Sequence, residues 1–375
     1  MTKPDYELMI VGGGPAGIST WLHLQKLDPA LAARTVIIEK ATYPRHKLCG
    51  GGVTRPADMV LAKLRLRINV PSVPIHKVEL RFGHRKYTWH RPNIFRVVRR
   101  HEFDHALARA AVDRGAKLRE NEAFRDFARV DGGLLVETSR GQYTVRALIG
   151  ADGARGGVRP KMGLAERPRV SRLIEILTPA DAGLANNTAV FDFSAVVDGL
   201  QGYVWDFPCL EDGLASMNRG VFDSRVRPDR SRADLKRIFK GALQARDAYD
   251  PSQPWEGHPE RWFSARGVFA QPHVLLAGDA AGVEPAMGEG ISQALQYGQV
   301  AAATLAAAFQ TGDFSFDDYR RRLLAHPLGR SLRFKVGLAR LMYAGWPAFL
   351  VNAWCAAVPD FLLDRVFNLL ARRLY

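Results

Sequence analysis

Cysteine is scarce in this chain of 375 residues: Cys49, Cys209 and Cys355 make an odd number without CxxC spacing. That argues against a disulfide framework and against a structural zinc site. Internal repeats and low-complexity tracts are missing, which sets aside solenoids and long disordered arms. The chain reaches its first apolar run, Leu8 to Val11, within a few residues. This leaves no room for a secretory leader, and a cytoplasmic location is expected. No nucleic-acid-binding motif accompanies the formal charge of +15, and arginines such as Arg96, Arg99, Arg225 and Arg227 are scattered. A nucleic-acid partner is therefore not expected, while an anionic membrane surface and simple solubilisation both account for the charge. Long apolar runs are rare too. The stretch from Leu341 to Pro359 carries no charged side chain, but Pro347, Asn352 and Pro359 interrupt it. Its flanks are amphipathic, with Leu338, Leu341 and Met342 on one helical face and Leu362, Val366, Leu369 and Leu370 on another. A membrane span, an in-plane membrane helix and helices capping the core all remain open.

Glycine, by contrast, marks two turns far apart in the chain: Gly12-Gly13-Gly14-Pro15-Ala16-Gly17 and Gly278-Asp279-Ala280-Ala281-Gly282. The first follows an apolar run and opens a helical pattern, so Gly12, Gly14 and Gly17 suit a turn that brings backbone N–H groups against a pyrophosphate. Glu39 ends the next apolar run, Thr35 to Ile38, where an acid meets a ribose hydroxyl in dinucleotide-binding units. The second turn follows the buried-strand pattern Val274 to Ala277 and precedes an Ala-rich helix from about Gly290 to Phe309. Together the turns read as one FAD site. The length suits two lobes sharing a cleft.

Between the turns, Val78 to Phe82 and Arg85 to Trp89 alternate around Gly83-His84 as a hairpin, and Arg100 to Arg114 reads as an amphipathic helix. Alternating aromatic segments from about Val170 to Arg266 suggest a second sheet. The expected fold is α/β. Residues 1–75, 96–168 and 266–315 form a Rossmann-like FAD-binding domain, 76–95 and 169–265 a β-sheet substrate domain, and 316–375 a C-terminal helical region.

The order of GGGPAG with Glu39, then Pro44-Arg45-His46-Lys47-Leu48-Cys49-Gly50-Gly51-Gly52, Arg100 before Phe103-Asp104, Gly150-Ala151-Asp152-Gly153, and Gly278-Asp279 to Gly290-Ile291 resembles the geranylgeranyl reductase family. That family sits among the flavoproteins resembling para-hydroxybenzoate hydroxylase, and the resemblance covers roughly residues 5–310. It implies FAD contacts from Pro15 and Ala16 at the first turn, from Glu39 and Lys40, and from Lys47, Cys49, Gly50 and Gly51 along the flavin. It further implies contacts from Arg100 near the pyrophosphate, Phe124 near the adenine, and Asp152 in a motif where Gly156 replaces a common serine. Asp279 would accept from the ribityl hydroxyls, and Gly288, Gly290 and Ile291 would open a helix whose positive end faces the flavin pyrimidine ring. Tyr203 and Trp205, in Tyr203-Val204-Trp205-Asp206-Phe207-Pro208, resemble the segment lining a lipid cavity; an ordinary core strand is the other reading. Cys49, Tyr203 and Trp205 are the catalytic candidates, and Cys49 either tunes the ring, donates a proton or occupies a tight turn.

One motif points elsewhere. His101-Glu102-Phe103-Asp104-His105 satisfies HExxH, but it lies within the arginine-then-Phe-Asp pattern and no third ligand has supporting context, so no metal is expected. The implied activity is reduction of a carbon-carbon double bond in a prenyl or lipid-like, hydrophobic substrate. NAD(P)H is the expected donor; with one dinucleotide fingerprint present, it would approach the open face of the flavin. A monooxygenase acting on an aromatic or polyketide substrate and a non-catalytic, membrane-associated flavoprotein are the rival readings. Oligomeric state is not readable.

Overall fold

The computed structural model describes residues 4–164, 170–180, 187–344 and residue 365. These are organised by two eight-stranded sheets. The first grows from strand Tyr6–Val11, which runs parallel to Thr35–Ile38 on one side and Gly141–Gly150 on the other. Lys117–Arg119 and Val274–Leu276 extend the parallel set outward, giving the doubly wound strand order of dinucleotide-binding sheets. Leu8, Met9, Ile10, Val36, Ile37, Leu148 and Ile149 are completely buried, as expected where helices cover both faces of a parallel sheet. Phe124–Val130 and Gly133–Thr138 add an antiparallel meander to Gly141–Gly150.

In the second sheet the order is Glu256–Arg261, Val170–Pro179, Leu214–Asp223, Gly202–Glu211, Thr188–Asp192, Ser72–Phe82, Arg85–Val98 and Gly52–Thr54. All pairs are antiparallel except Thr188–Asp192 with Ser72–Phe82. The hairpin around Gly83-His84 is present, with Phe82 opposite Arg85. Register decides what each face carries. Tyr203 stands opposite Phe222, Trp205 opposite Gly220 and Phe207 opposite Asn218. Glu175 faces Gly220, Leu173 faces Phe222 and His258, and Ser171 faces Glu260. Directly paired residues share a side, so Tyr203, Trp205, Phe207, Asn218, Glu175, His258 and Glu260 all lie on one face.

The opposite face carries Val204, Val221 and Ile176 onto helix Leu235–Gln244. Two arginines also reach into it: Arg219 Nη1 donates to Asp206 at 2.7 Å, and Arg246 bridges Asp206 and Asp192. Each buried carboxylate thereby meets a cation, which offsets its desolvation.

Helix Pro327–Met342 docks through Leu328, Leu332, Lys335 and Ala339. The expected shared face of Leu338, Leu341 and Met342 is split, because Met342 packs inward while Leu341 stays 60% exposed. Cys355, Leu362, Val366, Leu369, Leu370 and the readings of 345–359 fall outside the described residues. Among the described residues no helix is long and apolar enough to cross a membrane.

The two helices that follow the glycine turns, Pro15–Leu27 and Ile291–Thr311, pack closely at Gly298. A Cβ at Gly298 would lie 2.5 Å from Ser19 Oγ and 2.6 Å from the Thr20 backbone nitrogen. Gly298→Val is expected to destabilise the protein by about 1–3 kcal/mol through overpacking, measured as a lower denaturant midpoint with unchanged slope.

Candidate FAD site

The helix pair sets two open N-termini side by side. Pro15–Leu27 begins after Gly14 and Ile291–Thr311 after Gly290, and neither helix has a side-chain cap. Their first N–H groups and positive dipole ends suit an anion. Ser19 Oγ donates to the Leu295 carbonyl at 2.7 Å, and Gly278 comes close enough to Ala16 that a Cβ would lie 2.8 Å from it. The first turn requires glycine twice. Gly12 has φ +105° with the Ala151 oxygen 2.4 Å from the place of a Cβ, and a Cβ on Gly17 would lie 2.0 Å from the Gly12 oxygen. Gly14 is different. A Cβ there would meet only Arg45 Nη2, at 3.4 Å, so the space before the turn is open to a ligand.

Glu39 anchors the turn from below. Its carboxylate accepts from Gly13 N–H at 2.9 Å and from Ala41 N–H at 3.1 Å, while neighbouring Lys40 is exposed. The segment leading to Phe124 runs alongside, with Glu122 N–H donating to the Glu39 carbonyl. Arg100 directs Nε and Nη2 to Asp104, each at 2.8 Å. Burial works against its charge, but Asp104 outweighs this and holds its pKa above the usual arginine value. Asp104 also accepts from Arg45 Nη2 at 3.1 Å, and the buried Arg45 Nε makes no hydrogen bond, lying 3.5 Å from Glu39. Arg45, left unassigned by sequence, is therefore the guanidinium in front of Gly14. Asp152 turns toward its own loop and accepts from Val158 N–H at 3.0 Å. A Cβ on Gly156 would lie 2.1 Å from the Asp152 carboxyl carbon, so the glycine in place of the family's serine permits that turn.

The Lys47 to Gly51 segment brings a charged cluster against the second sheet. Lys47 Nζ donates to His258 Nε2, whose pKa is pushed down to about 3 by burial and then by Lys47, so the ring is a neutral acceptor. Burial likewise lowers the pKa of Lys47, with Asp279 and Glu260 opposing. Burial and Asp279 push Glu260 up to about 8. Burial raises the Cys49 thiol too, against Arg100, so it is protonated at neutral pH; Gly51 N–H donates to its sulfur at 3.4 Å. Gly50 abuts the aromatic face, the place of its Cβ lying 3.2 Å from the Phe207 ring and 3.5 Å from Trp205 Nε1. Tyr203 and Trp205 are both buried there, and their polar tips are engaged: Tyr203 OH donates to the Met287 carbonyl at 2.5 Å, and Trp205 Nε1 to Asn218 Oδ1 at 2.7 Å. Gly220, opposite Trp205, leaves room for its indole ring.

Beyond Asp279, the turn before Ile291 is held by buried acids. Glu284 accepts from the N–H groups of Ala286, Met287 and Glu289. Glu289 accepts from Ser292 and Thr54 and pairs with the buried Lys335, so helix Pro327–Met342 braces the Gly288–Gly290 turn. Sequence reasoning missed Lys335, His258, Glu260 and Glu175; of these Glu175 interrupts an apolar run, Leu173-Ile174-Glu175-Ile176-Leu177, which is a usable signal. His105 of the HExxH segment stacks on Tyr43 with ring centroids 6.0 Å apart. Among the described residues no group of three or more His, Cys, Asp or Glu is placed to hold a metal ion.

A parallel nucleotide-binding sheet meeting a second sheet across such a turn is the architecture of flavoproteins resembling para-hydroxybenzoate hydroxylase. The chain belongs to the FAD binding domain family, whose profile matches residues 5–327, and it is an FAD-dependent oxidoreductase. Digeranylgeranylglycerophospholipid reductase 2 of Methanosphaera stadtmanae is 26% identical over 332 residues, 83% of this chain and 80% of that protein. A geranylgeranyl bacteriochlorophyll reductase-like protein of Thermoplasma acidophilum superposes with a TM-score of 0.72 at 19% identity, covering 98% of this chain and 91% of the other. The p-nitrophenol 4-monooxygenase of Pseudomonas putida also superposes at 0.72, with 18% identity and 98% of both chains covered. Equal scores at such identities show a common fold and leave the reaction open.

The residues present suit FAD: two open helix ends, the Arg45 Nε without a hydrogen bond, and an unobstructed Gly14. Arg45→Met is expected to weaken FAD binding by about 10- to 100-fold, the loss of one charge-assisted contact, measured by fluorescence titration of the flavin-free protein. Lys335→Met leaves Glu289 buried without its cation and is expected to cost about 3–5 kcal/mol of stability, read from denaturant unfolding.

Proposed function

We propose that the protein reduces a carbon-carbon double bond of a prenyl or other lipid-like substrate with electrons from NAD(P)H. The carrying observation is the aromatic face of the second sheet, which abuts the Cys49–Gly51 segment directly. Phe191, Tyr203, Phe207 and Phe222 form one cluster, with ring centroids 5.0–5.6 Å apart, and Gly50 packs on Phe207. Such a face supplies apolar contact and excludes water beside the reacting centre. When bound, FAD supplies the hydride chemistry. The chain's own residues prepare the surroundings. The positive end of helix Ile291–Thr311 favours negative charge next to Gly290, and the protonated Cys49 thiol offers a hydrogen. The name of the Methanosphaera relative, a reductase of a prenylated phospholipid, supports the same substrate class.

The test is anaerobic reduction of the bound flavin by NADPH or NADH, followed by rapid mixing with a prenylated lipid or with oxygen. Lipid-driven reoxidation without oxygen is the expected result. A long-lived oxygen adduct together with indifference to lipid would replace the reductase by a monooxygenase, and a flavin that no donor reduces would leave a non-catalytic flavoprotein.

A further inference from the structure

Glu175 is an acid on the sheet face that carries Tyr203, Trp205 and Phe207, and the site described above does not use it. It is 4% exposed. Its Oε1 accepts from Asn218 Nδ2 at 3.2 Å and lies 4.0 Å from Arg99 Nη1, while its buried Oε2 makes no hydrogen bond. Asn218 is itself fixed, since its Oδ1 accepts from Trp205 Nε1 at 2.7 Å and its Nδ2 also reaches the Cys49 carbonyl at 3.4 Å. The Cys49 backbone N–H faces the same carboxylate. The carboxyl group thus sits directly beneath the segment carrying the thiol. Charged and titratable neighbours on the surrounding elements are Arg99, Lys47, Cys49 and Cys209 around Glu175, Arg100 and Glu260 around the Cys49 thiol, and Glu211 beside Arg99 and Cys209. Arg99 directs Nε to Glu211, so its charge is shared.

We infer that Glu175 stores the proton used in the reductive step and passes it on through the Cys49 thiol; the inference rests on the reductase reading above. Saturating a double bond takes a hydride to one carbon and a proton to the other. Both electrons arrive with the hydride from the cofactor, previously reduced by NAD(P)H. The proton leaves Cys49 Sγ for the second carbon, the resulting thiolate takes the Glu175 proton, and the Glu175 carboxylate regains one from water. Burial, opposed by Arg99, pushes the Glu175 carboxyl up to about 7, so the store is filled at mildly acidic pH, about half filled at neutrality, and empties as pH rises further. Glu175 is a positioning and proton-storing residue, acting through Cys49.

Two measurements on Glu175→Gln and the wild type test this. In infrared difference spectra of the flavin-free protein, a protonated-carboxyl band that disappears as pH rises through about 7 is expected in the wild type and absent in Glu175→Gln. In the holoenzyme, steady-state lipid reduction with NAD(P)H is expected to slow roughly 100-fold in the variant, because the first turnover draws on the thiol already protonated on Cys49 and every later one needs the Glu175 proton. The wild-type rate falls above the same pH and the variant's stays flat. A missing band in the wild type, or a variant that keeps both rate and pH profile, overturns the role of Glu175 and leaves the reductase reading standing. A band in the wild type with no lipid-driven reoxidation overturns the reductase reading itself, and this role with it. Should Glu175→Gln fail to fold, Asn218→Asp takes its place: a second acid beside Glu175 moves the profile to higher pH, and an unmoved profile overturns the inference.

Discussion

The site depends on one close contact, the packing of helix Pro15–Leu27 against helix Ile291–Thr311. Gly298 has no side chain, so Ser19 enters the space and its hydroxyl reaches the Leu295 carbonyl. Two positive helix ends then open into the same cleft. Each end suits negative charge, the first that of a pyrophosphate and the second that which gathers on a reduced flavin ring. The contact also decides where Gly278 and Asp279 stand relative to the first turn, because Gly278 rests on Ala16.

Around that contact, buried charge is handled in two ways. Away from the cleft, Arg219, Arg246, Asp206 and Asp192 satisfy one another and tie a helix to the sheet. In the cleft, satisfaction is incomplete: Arg45 Nε, Glu175 Oε2 and Glu260 Oε2 are buried without hydrogen bonds. Unsatisfied buried groups cost stability, so a protein keeps them where a ligand or a proton completes them. Lys335 shows the intermediate case, a buried cation whose partner Glu289 belongs to the Gly288–Gly290 turn.

Local features were legible before the fold. Gly12, Gly14 and Gly17, the acid Glu39 and the strand before Gly278 announce themselves within short windows, because a turn's backbone demands are set by adjacent residues. The helices after both turns and the hairpin around Gly83 also follow from periodicity. Exposure at the end of helix Pro327–Met342 did not follow. Hydrophobic spacing placed Leu341 beside Met342, but Tyr343, Ala286 and Met287 cover only the Met342 side.

Sequence alone therefore determined the cofactor class, through short-range steric and electrostatic demands that few residue types meet. Tertiary structure alone decided which guanidinium stands before the turn, since Asp104 fixes Arg100 in a fork and leaves Arg45 over Gly14. It also decided that Glu175 lies under Cys49, a juxtaposition set by strand register and burial. Those contacts join residues distant along the chain, and no local pattern encodes the dielectric that surrounds them.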